Sequence, residues 1–156
     1  MTEQVDLVIG WIDSTTLHDL RRRVLRSNDP SASVVDARDT ETTSLHVAGA
    51  LGGRIVVSAS FYPTLAPVRP ELVSYQLRYM ATDFEVQGRR YGARVLDFAE
   101  RALADLGAEQ LWANARDSAL GFYLATGWTA VEGSEHMSPE TQLAHTVICK
   151  RLPIAL

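Results

Sequence analysis

Gln87-Gly88-Arg89-Arg90-Tyr91-Gly92-Ala93 sets two glycines and two arginines directly before a run with helical spacing. A small-residue loop that feeds a helix presents backbone N–H groups with no intrahelical partner, at the positive end of the helix dipole. Such a junction attracts phosphate. Gln87, Arg89 and Arg90 can reinforce the hold from their side chains, the arginines through charge-assisted hydrogen bonds.

The elements around this junction follow from periodicity. Val73, Tyr75, Leu77 and Tyr79 alternate with Ser74, Gln76, Arg78 and Met80, the two-residue period of a strand with unlike faces. From Tyr91 the apolar residues Val95, Leu96, Ala99, Leu103 and Leu106 recur at helical spacing until Gly107 stops the run. Upstream, Val5 to Ile12 reads as a first strand. Ser14 or Thr15 can cap a helix to about Leu25 with Leu17, Leu20, Val24 and Leu25 on its apolar side. A polar loop rich in Ser, Thr and Asp runs from Asn28-Asp29-Pro30 to Ser44, and two strands, Leu45 to Leu51 and Arg54 to Tyr62, meet at the hairpin signal Gly52-Gly53.

Downstream, Gln110 to Asn114 reads as a buried strand. Asp117 is placed to cap a helix carrying Leu120, Phe122, Tyr123 and Leu124, closed by Gly127. Trp128 to Val131 and Leu143 to Leu152 complete about seven strands. Helices that alternate with strands in the middle, flanked by hairpins, imply a mixed α/β sheet, with parallel pairing around the helix at Tyr91.

Composition bounds the function. A chain of 156 residues, 46% hydrophobic, reads as one globular domain, 1–156, with a sizeable core. The net charge of −4 argues against nonspecific nucleic-acid binding, which depends on neutralising phosphates. Cys149 is the only cysteine, so no intramolecular disulfide is expected and no metal site is assigned. No secretory signal or membrane-spanning run is read from the sequence, and the expected location is cytoplasmic.

Three features together resemble the GCN5-related N-acetyltransferase superfamily, and the Arg22-Arg23-Val24-Leu25-Arg26 helix with the Ser60-Phe61-Tyr62-Pro63 strand end is similar to a bacterial subgroup of it whose substrates are mostly unassigned. One is Met80-Ala81-Thr82-Asp83 through Gln87-Gly88-Arg89-Arg90-Tyr91-Gly92, similar to the family's acetyl-CoA signature. Another is Asn114-Ala115-Arg116-Asp117-Ser118-Ala119-Leu120-Gly121-Phe122-Tyr123 with Gly127-Trp128, similar to its closing block. The third is the order of elements, and the likeness spans Val5 to Leu152. Arg90 departs from the pattern, standing where the family usually has a glycine; we read it as already in the first helical turn, where glycine is not needed. Arg116 and Trp128 replace a usual Asn and Phe.

The resemblance implies an α/β fold whose parallel central strands splay to admit acetyl-CoA, and transfer of acetyl from that co-substrate to an amine. It implies that Gly88 to Ala93 hold the pyrophosphate, and that Met80, Ala81 and Thr82 pair with the pantetheine and face the acetyl oxygen. Asn114, Arg116 and Ser118 are candidate cofactor contacts. Tyr123 takes the family's proton-donor position. A phenol near pKa ~10 facing a thiol near ~8.5 makes that transfer uphill by about 2 kcal/mol. His145, in the last strand, is the candidate general base, with Glu71, Asp83 and Glu85 as rivals and His46 and His136 behind them. The amine acceptor is unidentified, no nucleic-acid or membrane partner is expected, and a homodimer is left open. A CoA-binding module with little turnover is the alternative reading.

Overall fold

The computed structural model describes residues 5–154. The strands are β1 (Val8–Trp11), β2 (Leu45–Leu51), β3 (Arg54–Pro63), β4 (Ser74–Thr82), β5 (Gln110–Arg116), β6 (Thr129–Ala130), β7 (His136–Met137) and β8 (Ala144–Arg151). The helices are α1 (His18–Leu25), α2 (Tyr91–Asp105) and α3 (Leu120–Ala125), with short 3-10 turns at Ser14–Leu17, Phe84–Val86 and Asp117–Ala119. Hydrogen bonding orders the sheet β1-β2-β3-β4-β5-β8-β6, with β7 also paired to β8. β4 and β5 run parallel, while β1–β2, β2–β3, β5–β8, β6–β8 and β7–β8 are antiparallel. This is the mixed α/β sheet that the sequence implies. Among the described residues no helix is long and apolar enough to cross a membrane.

The chain divides into two compact units. One joins the chain up to Tyr62 with Tyr79–Ala102, the other Pro63–Arg78 with the chain from Leu103 onward. In the first unit β1, β2 and β3 form a meander. Gly52 and Gly53 sit at φ +54° and +80°, the left-handed pair that a tight two-residue hairpin turn requires. Its buried apolar residues include Leu17, Leu20, Val47, Val56, Phe61, Val95, Leu96 and Ala99. The first helix differs from the sequence reading. Asp13 takes the N-cap position and neither Ser14 nor Thr15 caps; the Thr16 hydroxyl instead donates to the Asp13 carbonyl at 2.6 Å. The largest fully buried side chain of its inward face is Arg21, which falls one turn after the equally buried Leu17.

In the second unit, α2 ends in paired reverse hydrogen bonds, Ala108 N–H to Leu103 O and Gly107 N–H to Ala104 O, with Gly107 at φ +96°. Ser74–Gln76 of β4 pair with Gln110–Trp112 of β5, and from Ala113 to Arg116 β5 continues along β8. Asp117 does not cap α3: its carboxylate accepts from the Thr146 hydroxyl at 3.0 Å instead. Of the apolar set on α3, Tyr123 is buried while Phe122 and Leu124 are exposed. The two-residue strand β7 has too short a pattern to be legible in the sequence.

β4 itself departs from simple alternation. Ser74 and Gln76 are buried, and then Leu77, Tyr79 and Ala81, so the buried face shifts by one residue in mid-strand. Tyr79 lies at φ +56° nearby. An extra residue in a strand produces this change of face.

Candidate functional site

The loop after β4 is built from the first unit. The Asp83 N–H donates to Val56 O at 2.7 Å, and its buried carboxylate accepts from Glu85 N–H and Arg23 and pairs with Arg54 at 3.6 Å. Burial would raise the Asp83 pKa, but those hydrogen bonds and charges hold it below the ordinary carboxylate range. Glu85 is exposed and paired with Arg54 at 2.9 Å. Both carboxylates are therefore occupied in anchoring the loop, which weakens their claim as bases.

Gln87 folds back, its amide donating to Thr82 O at 3.1 Å, so it closes the loop from within. Gly88 follows at φ +83° with open space around it. Arg90 stands at φ +63°, and its carbonyl accepts from Arg94 N–H at 3.1 Å. It is thus the residue just before α2 and outside its first turn, contrary to the sequence reading. Its backbone occupies the left-handed region that favours glycine. Arg89 and Arg90 are exposed, Gly92 is buried, and Tyr91 and Ala93 are half-buried. The first turn of α2 carries no acidic residue, so its N–H groups and dipole are not neutralised from within. Met80 and Thr82 are half-buried and Ala81 is buried.

The remaining candidates lie in the second unit. Asn114 at the end of β5 and Ser118 are exposed, and Arg116 is half-buried opposite His145 in the β5–β8 register. Tyr123 packs edge-on against Phe122 and Trp128, with ring centroids 5.1 and 5.5 Å away. Its hydroxyl has no hydrogen-bond partner among the described residues, and burial pushes the phenol pKa up. It stays protonated at neutral pH, a loaded donor but a weaker acid. His145 is buried on β8, with Nδ1 2.8 Å from Leu143 O. A carbonyl only accepts, so Nδ1 carries the proton and the Nε2 lone pair of the neutral ring remains to take one up. His136 is exposed and bonds Ser134 O, and Glu71 is exposed.

His46 has neither nitrogen free, because it belongs to a buried network that the sequence reading missed. Arg21 donates to Asp39 at 2.8 Å, to Val34 O at 2.9 Å and to Ser60 Oγ at 2.8 Å. Its guanidinium lies 4.0 Å over the Tyr79 ring. The Tyr62 hydroxyl donates to Asp39, and His46 spans Ser60 Oγ at 2.7 Å and Asp39 O at 3.0 Å. A usable signal was present: Arg21 follows Leu17 by four residues, on the helix face that goes inside.

No protein-family model matches the chain. It is 31% identical over 122 residues to the uncharacterized N-acetyltransferase YitI of Bacillus subtilis (strain 168), across 78% of this chain and 82% of that protein. Its fold is similar to Escherichia coli ElaA, with a TM-score of 0.73 at 13% identity, covering 93% of this chain and 99% of that one. It is also similar to an aminoglycoside 6'-N-acetyltransferase complexed with coenzyme A, with a TM-score of 0.69 at 12% identity, covering 96% and 99% of the two chains. At these identities the solved structures speak for the fold alone.

Proposed function

Since this chain belongs to the GCN5-related N-acetyltransferase superfamily and is an acetyl-CoA-dependent acyltransferase, we propose that its acceptor is a primary amine of a small molecule, acetylated by direct transfer. The observation that carries this reading is the junction ahead of α2. Gly88 is left-handed, no acid lies in the first helical turn, and two arginines are exposed beside it. These features fit a pyrophosphate. In this reading the N–H groups from Gly88 to Ala93 hold it, and Arg89 and Arg90 add charge. The co-substrate supplies an activated thioester.

The chain's own residues then have three tasks. The backbone at Met80 to Thr82 aligns the pantetheine and offers an N–H where negative charge develops on the acetyl oxygen. Tyr123 gives its proton to the departing sulfur. His145 takes a proton from the incoming ammonium through Nε2. Asn114, Arg116 and Ser118 are proposed as further cofactor contacts.

One observation favours the alternative, a CoA-binding module with little turnover: burial makes Tyr123 a weaker acid, and among the described residues nothing hydrogen-bonds its hydroxyl. Two measurements separate the readings. Acetyl-CoA binds only the folded state, so it should raise the melting temperature, with stabilisation of about 2.7 kcal/mol at a hundredfold excess over Kd. Gly92→Asp, which adds bulk and negative charge at the phosphate, should abolish that rise. Free thiol released in the presence of an amine panel, amino sugars included, reports turnover. Thermal shift without amine-dependent thiol would select the module.

A further inference from the structure

The interior of β4 carries a backbone outlier. Tyr79 sits at φ +56°, in the left-handed region, which is strained for a bulky side chain. Strain of that kind persists only where the surroundings over-determine the conformation. Here the surroundings are cationic. The buried ring of Tyr79 has the guanidinium of Arg21 4.0 Å from its centroid and that of Arg26 at 5.8 Å. A cation over an aromatic face is attracted by the ring quadrupole, most strongly when both are out of water.

Arg21 is a fixed support. Its side chain is fully buried and tied to Asp39, Val34 O and Ser60 Oγ, so it does not follow a ring that moves away. Its Nε is buried with no hydrogen-bond partner among the described residues, which leaves part of the charge to be compensated by the ring. The turn at Tyr79 acts on the residues that follow it. Tyr79 and Ala81 are buried while Met80 and Thr82 are half-buried, although upstream Ser74 and Gln76 hold the inner face. A strand that slipped back by one residue would exchange these faces.

We propose that Tyr79 is a positioning residue for the co-substrate: its ring, seated on the Arg21 guanidinium, holds the left-handed turn in β4 and so keeps Met80 to Thr82 in the register that meets the pantetheine. The inference rests on the reading that Met80 to Thr82 align that group. It is tested at the ring, because Arg21→Met leaves a sulfur-bearing stem that also contacts an aromatic face favourably.

Tyr79→Phe keeps the ring face and serves as reference, with further proteins carrying one, two or three fluorines on that phenylalanine. Fluorine drains the quadrupole and hardly alters the packing. Two ligands are titrated into each protein: acetyl-CoA, and the phosphorylated adenosine diphosphate that remains when pantetheine is removed from CoA. Acetyl-CoA affinity should fall stepwise with fluorination, about tenfold at three fluorines if the aligned register drops to about a tenth of the population. The nucleotide half should bind all of them equally. The amide-to-Hα scalar coupling of residue 79, which reports φ, should move toward its extended value along the same series.

An unchanged coupling would show that the cation does not hold the turn, and would overturn the proposal. A coupling that moves while acetyl-CoA affinity stays constant would overturn it differently, by showing that Met80 to Thr82 do not align the pantetheine. Equal weakening of both ligands would reduce Tyr79 to a general structural role.

Discussion

The segment from Arg21 to Tyr62 and the segment from Asp83 to Arg94 both bring arginines and carboxylates together, yet they dispose of their polar groups in opposite ways. In the first, Asp39 receives Arg21, Tyr62 and the N–H of half-buried Asp36, and Ser60 links Arg21 to His46; all but Asp36 are buried. Among the described residues of that network, Arg21 leaves its Nε unpaired, and Ser44 Oγ and Ser58 Oγ elsewhere in the segment are unpaired too. In the second, the carboxylate of Asp83 is consumed by anchoring, but Arg89, Arg90 and the start of α2 stay open to solvent. A closed network specifies structure, because each member loses its partner if the fold changes. An open one is disposed to take a ligand. The same residue types therefore do different work according to whether their partners come from the chain.

The largest effect should come from breaking the closed network. Arg21→Met keeps a long apolar stem but strands the Asp39 carboxylate in the interior. Removing one member of a buried pair costs about 3–5 kcal/mol. Urea unfolding should show a loss of that size, while the folded variant should keep its thermal stabilisation by acetyl-CoA. A loss below about 1 kcal/mol, the scale of exposed ion pairs, would mean that the network behaves like a surface salt bridge.

A smaller effect should follow at Tyr123, and here the contrast is between function and stability. Tyr123→Phe should lower turnover on the order of a hundredfold if the phenol is the acid. It should not lower stability at neutral pH, because the hydroxyl bonds nothing among the described residues. The alkaline range adds a second readout. The folded phenol titrates above its unfolded value, so its contribution is complete below about pH 10 and is lost as pH rises beyond that, by up to about 1.4 kcal/mol per pH unit. Phe at this position should remove that slope. Unchanged turnover where chemistry limits the rate would return Tyr123 to a packing role.

These contrasts also mark what was legible beforehand. The order of elements, the glycine hairpin, the loop ahead of α2 and the Gly107 stop are local signals, and local signals survive in a sequence. The family landmarks around Tyr123 were legible for the same reason. What escaped notice depends on distant partners. Arg21 stands among Arg22, Arg23 and Arg26 and looks like one more solvated charge until Asp39 and Ser60, from other segments, enclose it. The capping roles given to Ser14 or Thr15 and to Asp117 failed as well, since Asp13 takes the first N-cap position and a tertiary hydroxyl at Thr146 claims Asp117. The face change within β4 and the backbone of Arg90 are conformational facts that no residue type announces.

Arg90 carries the smallest and most discriminating prediction. A non-glycine residue in the left-handed region costs about 1–2 kcal/mol. Glycine would relieve that strain but give back roughly 0.5–1 kcal/mol through the freedom it adds to the unfolded chain. Arg90→Gly should therefore leave the protein equally stable or more stable, by up to about 1 kcal/mol. Ligand binding should move the other way. The exposed guanidinium offers an anion a charge-assisted contact, so its removal should weaken acetyl-CoA binding a few-fold. The contact is also screened by salt, so the affinities of the two proteins should converge as ionic strength rises. Thermal melts give the first sign and titrations at low and high salt the second. Opposite signs would show strain held in place for the sake of a ligand contact. If the glycine variant is both more stable and tighter-binding, Arg90 obstructs the junction, and the module with little turnover becomes the better description of this chain.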